Sequence, residues 1–248
     1  MTPALDPSGE NARLRTDLVW VFGGRQQRGW AIYEPLIASL IETDSKLKED
    51  PPGFARAVAA WQRRNQLTPS GVIDHDTWIT MVGGWQEKRL RKQTLPPPVL
   101  VTVDPSEFYH WERPAELRQV EHETYLAYRR MYDAAKAELG FERGSPFLKI
   151  ISAYRNRAYQ EMLRRQDPKA GRTALAYNSP HFSGRSLDLY VGGEAVITRD
   201  CNRAWQTSTR AYAWLAKNAK SFGFEPYFYE PWHWEYIPDE SGTQGGSR

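Results

Sequence analysis

Two stretches of the chain concentrate residue types that bind metals and move protons. The first, Ser179-Pro180-His181-Phe182-Ser183-Gly184-Arg185-Ser186-Leu187-Asp188, sets an imidazole and a carboxylate seven positions apart with a glycine between them. The second, Tyr229-Glu230-Pro231-Trp232-His233-Trp234-Glu235-Tyr236, sets a carboxylate three positions before a histidine. The chain has only five histidines, His75, His110, His122, His181 and His233, and two of them stand in these strings. A catalytic zinc takes three nitrogen or oxygen ligands and keeps a further position for water. Two imidazoles and one carboxylate meet that requirement and leave the ion enough positive charge to acidify water. A second carboxylate near the ion, but not on it, can take a proton and pass it to a leaving amine. His181, Asp188 and His233 are therefore the candidate zinc ligands, and Glu230 the candidate base.

Taken one at a time, these residues also have ordinary uses. His233 could be a core histidine among aromatics, and Asp188 a helix cap or an ion-pair partner. Their surroundings give the joint pattern its force. The His181-to-Asp188 spacing suits a loop that runs into a strand, Leu187–Val191, and turns both side chains to one point. An acidic residue beside an apolar strand is costly to bury unless paired or metal-bound. His233 falls in a final strand, Trp232–Ile237, where alternation turns the two neighbouring tryptophans to the opposite face. Pro231 interrupts strand pairing, so Glu230 is expected on the loop entering that strand.

The elements that must hold these loops read as α+β. Apolar residues at helical spacing predict a long helix over Glu116–Leu139, stopped by Gly140. Phe147–Ile151 reads as a strand, Asn156–Arg165 as a helix, and Asn202–Phe222 as a helix stopped by Gly223. Upstream, Trp30, Tyr33, Leu36, Ile37, Leu40 and Ile41 form one helical stripe. Pro51-Pro52-Gly53 is expected to break the chain before a helix from Phe54 to about Asn65. Asp74 is placed to cap a short third helix. The fold class expected is α+β, a small antiparallel sheet with helices, preceded by a three-helix domain.

Composition narrows the classes of function. A formal charge of +3 on 248 residues, with no dense Lys/Arg stripe, argues against nucleic acid. The single cysteine, Cys201, excludes a disulfide framework and a cysteine-rich structural zinc site. No run of about 18 apolar residues exists, so no membrane span is expected. Met1 to Asp17 lacks an apolar stretch, so no signal peptide is found. A chain without one would act outside the cell only after another export route or lysis, and is otherwise cytoplasmic. The pattern sets no oligomeric state.

The string S-P-H-F-S-G-R-S-L-D resembles the S-x-H-x-x-G-x-x-x-D motif of VanY-like D-alanyl-D-alanine carboxypeptidases and their L-Ala-D-Glu endopeptidase relatives. E-P-W-H-W-E-Y resembles their E-x-x-H signature with Trp before the histidine. Ile151-Ser152-Ala153-Tyr154-Arg155-Asn156 through Gln160 resembles their S-x-Y-R-x-x-x-x-Q block. The resemblance covers roughly residues 105–238. It implies His181, Asp188 and His233 as zinc ligands and Glu230 as base. Arg155 matches an arginine that acts beside the substrate carbonyl or carboxylate, its ordinary alternative being a structural ion pair. Ser179, Tyr154, Gln160 and Trp232 match motif positions implied to line the substrate. Ala153 departs from the glycine common before the Tyr-Arg pair, and Arg185-Ser186-Leu187 are bulkier than usual. Lysostaphin-like peptidases, with an H-x-H pair, fit poorly.

The first part resembles a three-helix peptidoglycan-binding domain. Ala57-Val58, Trp61-Gln62 and Leu67, then Gly71-Val72-Ile73-Asp74 and Thr77-Trp78, carry that likeness, although Trp61 replaces Phe, Gln66 replaces Gly and an upstream D-G-x-F-G element is missing. The implied organisation is a leader (1–27), a wall-binding-like domain (28–85), a basic then Pro-rich linker (86–104), a catalytic domain (105–238) and a mobile tail (239–248). The implied activity is a zinc peptidase acting on peptidoglycan or muropeptides, of D-alanyl-D-alanine carboxypeptidase type. A lysin-like endopeptidase and a non-catalytic wall-binding protein are the alternatives.

Overall fold

The computed structural model describes residues 6–44, 46–90, 97–166 and 179–237. It divides into two compact units, residues 1–86 and 87–248. The structure mixes helices with small antiparallel sheets. Residues 91–96 of the stretch read as a linker, and the residues from 238 on, lie outside the described residues.

The first unit contains α1 (Pro7–Asp17), β1 (Val19–Phe22), β2 (Arg25–Arg28), α2 (Glu34–Leu40), α3 (Pro51–Arg64) and α4 (His75–Glu87), the last ending at the boundary. Its core is aromatic. Trp20 meets Trp78 edge-on with centroids 5.0 Å apart, and Trp30 stacks on Phe54 at 6.0 Å. Two buried amides tie down the loop before α4. The Gln62 side chain donates to Val72 O and Thr77 Oγ1, both at 2.9 Å, and accepts from Gly71 N at 2.9 Å. The Asn11 side chain donates to Gly71 O at 2.7 Å and accepts from Ile73 N at 2.8 Å.

That last contact corrects the reading of residues 1–27 as a leader, loose over 1–17. Asp6 caps α1 by accepting from Ser8 N, and Pro7 opens the helix. Only Asn11 and Leu14 of α1 are buried, so the helix has no apolar stripe for periodicity to reveal. Residues 19–28 then form a hairpin, with Trp20 facing Gln27. Pro51-Pro52-Gly53 also behave differently from expectation. They start α3, because Asp50 accepts from Gly53 N at 2.9 Å and a proline at the first helical position lacks only an N–H that would stay unpaired.

The second unit contains β3 (Leu100–Thr102), β4 (Gln119–Glu121), α5 (His122–Leu139), β5 (Ile150–Ser152), α6 (Arg157–Gln166), β6 (Ser186–Leu189), α7 (Asp200–Thr207), α8 (Arg210–Asn218), β7 (Phe224–Pro226) and β8 (His233–Tyr236). β5, β6, β8 and β7 form, in that order, a four-stranded antiparallel sheet. α5 is shorter than the predicted Glu116–Leu139, because residues 119–121 pair with β3. Glu121 then caps the helix by accepting from Thr124 N at 2.8 Å, and Gly140 ends it in the left-handed conformation. The single helix expected over Asn202–Phe222 is two helices and a 3-10 turn. Thr209 breaks the run by capping α8 through Tyr212 N. The strand β7 was not foreseen; at three residues it is too short to show alternation.

Candidate active site

The site is built on one transverse row of the four-stranded sheet. Ser152 of β5 faces Asp188 of β6, and Asp188 faces His233 of β8. Tyr227 N, at the end of β7, donates to His233 O at 2.9 Å and extends the row. Alternation along β8 turns Trp234 to the other face, where it approaches Tyr212 at 6.3 Å between centroids.

His181 reaches the row from a 3-10 turn, Pro180–Ser183. Ser179 caps this turn by accepting from His181 N at 3.3 Å, and Gly184 closes it in the left-handed conformation with φ 68°. A β-carbon on Gly184 would stand 3.0 Å from both Glu121 N and Leu100 Cδ2, so a side chain there would be crowded as well as strained by the positive φ. The serine, histidine and glycine of the first motif are thus one turn, and its aspartate lies on the strand that follows.

His181, Asp188 and His233 are buried, and one donor atom from each lies within 4.8 Å of the other two. Asp188 Oδ1 stands 2.9 Å from His233 Nδ1 and 3.3 Å from His181 Nε2. The far nitrogen of each ring is held from behind. His181 Nδ1 donates to Ala153 O at 2.7 Å, and His233 Nε2 donates to Glu235 Oε1 at 3.1 Å. A carbonyl oxygen only accepts, so Nδ1 of His181 carries the proton and Nε2 presents the lone pair. Two imidazoles and a carboxylate, converging with their outer nitrogens tied, form a donor set that fits a divalent cation such as zinc.

The charges follow from this packing. Burial, and then the Arg155 cation, lower the His181 pKa to about 4, leaving it neutral and able to ligate. Burial opposes charge on His233 too, but hydrogen bonds to Asp188 and Glu235 outweigh it and raise its pKa to about 9. Burial likewise resists ionisation of Asp188, yet His181, His233 and Arg155 together hold its carboxyl well below the usual range. Glu230 is buried beside this group. Burial raises its pKa to about 7, with His233, Arg89 and Arg155 pulling it down and Asp188 pushing it up. Its backbone fixes the loop, Glu230 N donating to Tyr227 O and Glu230 O accepting from His233 N.

Arg155 donates from Nη2 to Asp188 Oδ2 at 2.7 Å and from Nε to Ser152 Oγ at 2.9 Å. Gln160 Oε1 lies 3.5 Å from Nη1, so this candidate sits against Arg155. Tyr154 is half-buried, and its N–H donates to Gln119 O. Trp232 is 3% exposed, and its carbonyl accepts from Leu189 N at 2.8 Å, so it packs within the core. Ser152, Glu235 and Arg89 touch the group without having been singled out from sequence. Glu235 stands two positions beyond His233 on the same strand face, which is a readable signal. Arg89, whose guanidinium grips Glu235, carries none.

Residues 117–239, just under half of the chain, match a family model described as VanY, D-alanyl-D-alanine carboxypeptidase. No curated protein matches the chain. A solved structure of the LdcB LD-carboxypeptidase, described as revealing the molecular basis of peptidoglycan recognition, is similar at 26% identity. That likeness covers 60% of this chain and 72% of the other, with a TM-score of 0.44.

Proposed function

Because residues 117–239 carry a VanY-family domain, we propose that this chain is a zinc-dependent peptidoglycan peptidase of D-alanyl-D-alanine carboxypeptidase type. The observation that carries the reading is the buried convergence of His181, Asp188 and His233 on one point, with both outer ring nitrogens held. These three residues would hold the ion through His181 Nε2, an Asp188 oxygen and His233 Nδ1. Zinc, when bound, supplies Lewis acidity at the scissile carbonyl and acidifies water.

The remaining work belongs to the chain. Glu230 takes a proton from the attacking water as the new C–O bond forms, then returns it to the leaving nitrogen as the C–N bond breaks. Its burial excludes bulk water from that transfer. Arg155 holds one oxygen of Asp188, which turns the other toward the two histidines, and its cation sits where negative charge develops.

One observation favours an exopeptidase over the lysin-like alternative. Arg113 is half-buried, its pKa lowered chiefly by that burial, and it lies within the field of Tyr159, Arg155 and Asp188. It makes no ion pair among the described residues. A desolvated guanidinium near the site suits a substrate ending in a free carboxylate. The first unit, by its likeness to wall-binding domains, would raise the local concentration of substrate. Mass spectrometry of a digest of defined muropeptides tests the reading. Free D-alanine is expected, whereas release of larger peptides alone would assign the chain to the endopeptidases.

A further inference from the structure

On the reading that His233 is a zinc ligand, we infer that Arg89 is a positioning residue of the metal centre, acting through Glu235. Arg89 follows α4 and lies outside the span that matches the family model. Its place in the site is set by this structure alone.

Glu235 is 1% exposed, and both its oxygens are engaged. Oε1 accepts from Arg89 Nε at 2.7 Å and Nη2 at 2.5 Å, and faces His233 Nε2 at 3.1 Å. Oε2 accepts from Leu90 N at 2.7 Å. The Arg89 guanidinium also lies over the Tyr227 ring, 3.7 Å from its centroid, and Tyr227 N donates to His233 O. Arg89 therefore reaches His233 through the carboxylate that holds its ring.

A ligating imidazole works when its remote N–H is fixed, because that bond sets the tautomer and the ring plane. Here it directs Nδ1, not Nε2, toward Asp188. The holding carboxylate must itself be held. A buried carboxylate without a cation is strongly unfavourable; here two guanidinium N–H groups converge on Oε1 while Leu90 N holds Oε2, and together they fix the carboxylate plane. A merely structural ion pair would be distant from the donor set; this one is a single bond away.

The test is zinc affinity, measured by competition with a chromogenic chelator on the full chain. Arg89→Met and Glu235→Gln are each expected to weaken zinc binding about 10- to 100-fold. The double variant is expected to be no weaker than Glu235→Gln alone, because Arg89 acts through that carboxylate. Arg89→Lys keeps the charge and should recover part of the affinity. In ¹⁵N spectra of the metal-free histidine rings, Arg89→Met should shift the His233 nitrogens and leave those of His122 unmoved. Wild-type zinc affinity in Arg89→Met, or losses that multiply in the double variant, would overturn the inference. If Arg89→Met does not fold, Arg89→Lys decides: wild-type affinity and unshifted His233 nitrogens there also overturn it. Failure of the wild-type chain to bind zinc would instead defeat the reading of the site itself.

Discussion

Asp188 and His233 are direct partners across the β6–β8 ladder, and Asp188 Oδ1 stands 2.9 Å from His233 Nδ1. The strand register, not loop geometry, thus sets the distance between two of the three candidate ligands. It also gives His233 a raised proton affinity, since its ring lies between Asp188 and Glu235.

Zinc uptake should therefore release protons. The His233 pKa of about 9 in the metal-free chain means that Nδ1 is protonated at neutral pH, and a ligand must give that proton up. Calorimetric titration near pH 8, in buffers of differing ionisation enthalpy, should show about one proton released per zinc bound. Release should fall as pH rises through 9. Uptake without proton release would contradict the Asp188–His233–Glu235 arrangement.

Glu230→Gln should separate metal binding from turnover. The variant is expected to keep zinc while losing about 10²- to 10⁴-fold in kcat; full activity would remove Glu230 from the role of base. The same variant reports on pH-dependent stability. The Glu230 pKa is raised in the folded state, from 4.5 to about 7. Stability from this group is complete below about pH 4.5 and is lost as pH rises toward 7. Metal-free Glu230→Gln should accordingly gain stability over wild type above pH 7, by up to roughly 3 kcal/mol. The gain should vanish near pH 4.5. Urea unfolding at several pH values measures it, and a difference independent of pH would contradict the burial argument.

Gly184→Ala should destabilise the catalytic unit by about 1–3 kcal/mol. The positive φ of 68° disfavours any β-carbon, and Glu121 N and Leu100 Cδ2, each 3.0 Å away, would have to give way to one. Because Glu121 N also donates to Gly184 O, the shift should reach the turn that presents His181. Thermal unfolding and zinc affinity should fall together; unchanged values for both would argue against the turn as the element that sets His181.

Arg113→Met should raise KM for a muropeptide ending in a free carboxylate by about 10-fold or more, with a smaller effect on kcat. An amidated C-terminus on the substrate should abolish the difference between wild type and variant. An unchanged KM would remove Arg113 from carboxylate recognition.

Much of the site was legible in the sequence because its signals are local. Ser179, His181 and Gly184 form one turn, and Glu230 and His233 flank one strand entry, so fixed spacings record them. The row joining Ser152, Asp188 and His233 depends on pairing between strands far apart in the chain, which no spacing encodes. Arg89 was invisible for the same reason: it meets Glu235 across 146 positions. In the fold, long apolar periodicities marked α3 and α5. α1 escaped notice because its buried face consists of Asn11 and Leu14, and Asn11 is buried for hydrogen bonding. The Pro51-Pro52-Gly53 string was ambiguous by nature, since proline both ends helices and begins them.

The most direct test of a single cation held by His181, Asp188 and His233 is metal content measured together with muropeptide cleavage, for wild type and Asp188→Ala, after exhaustive dialysis. Wild type should retain about one zinc per chain and cleave, while Asp188→Ala, folded by circular dichroism, should retain none and be inactive. Undiminished cleavage by an Asp188→Ala chain free of metal would contradict the proposed centre.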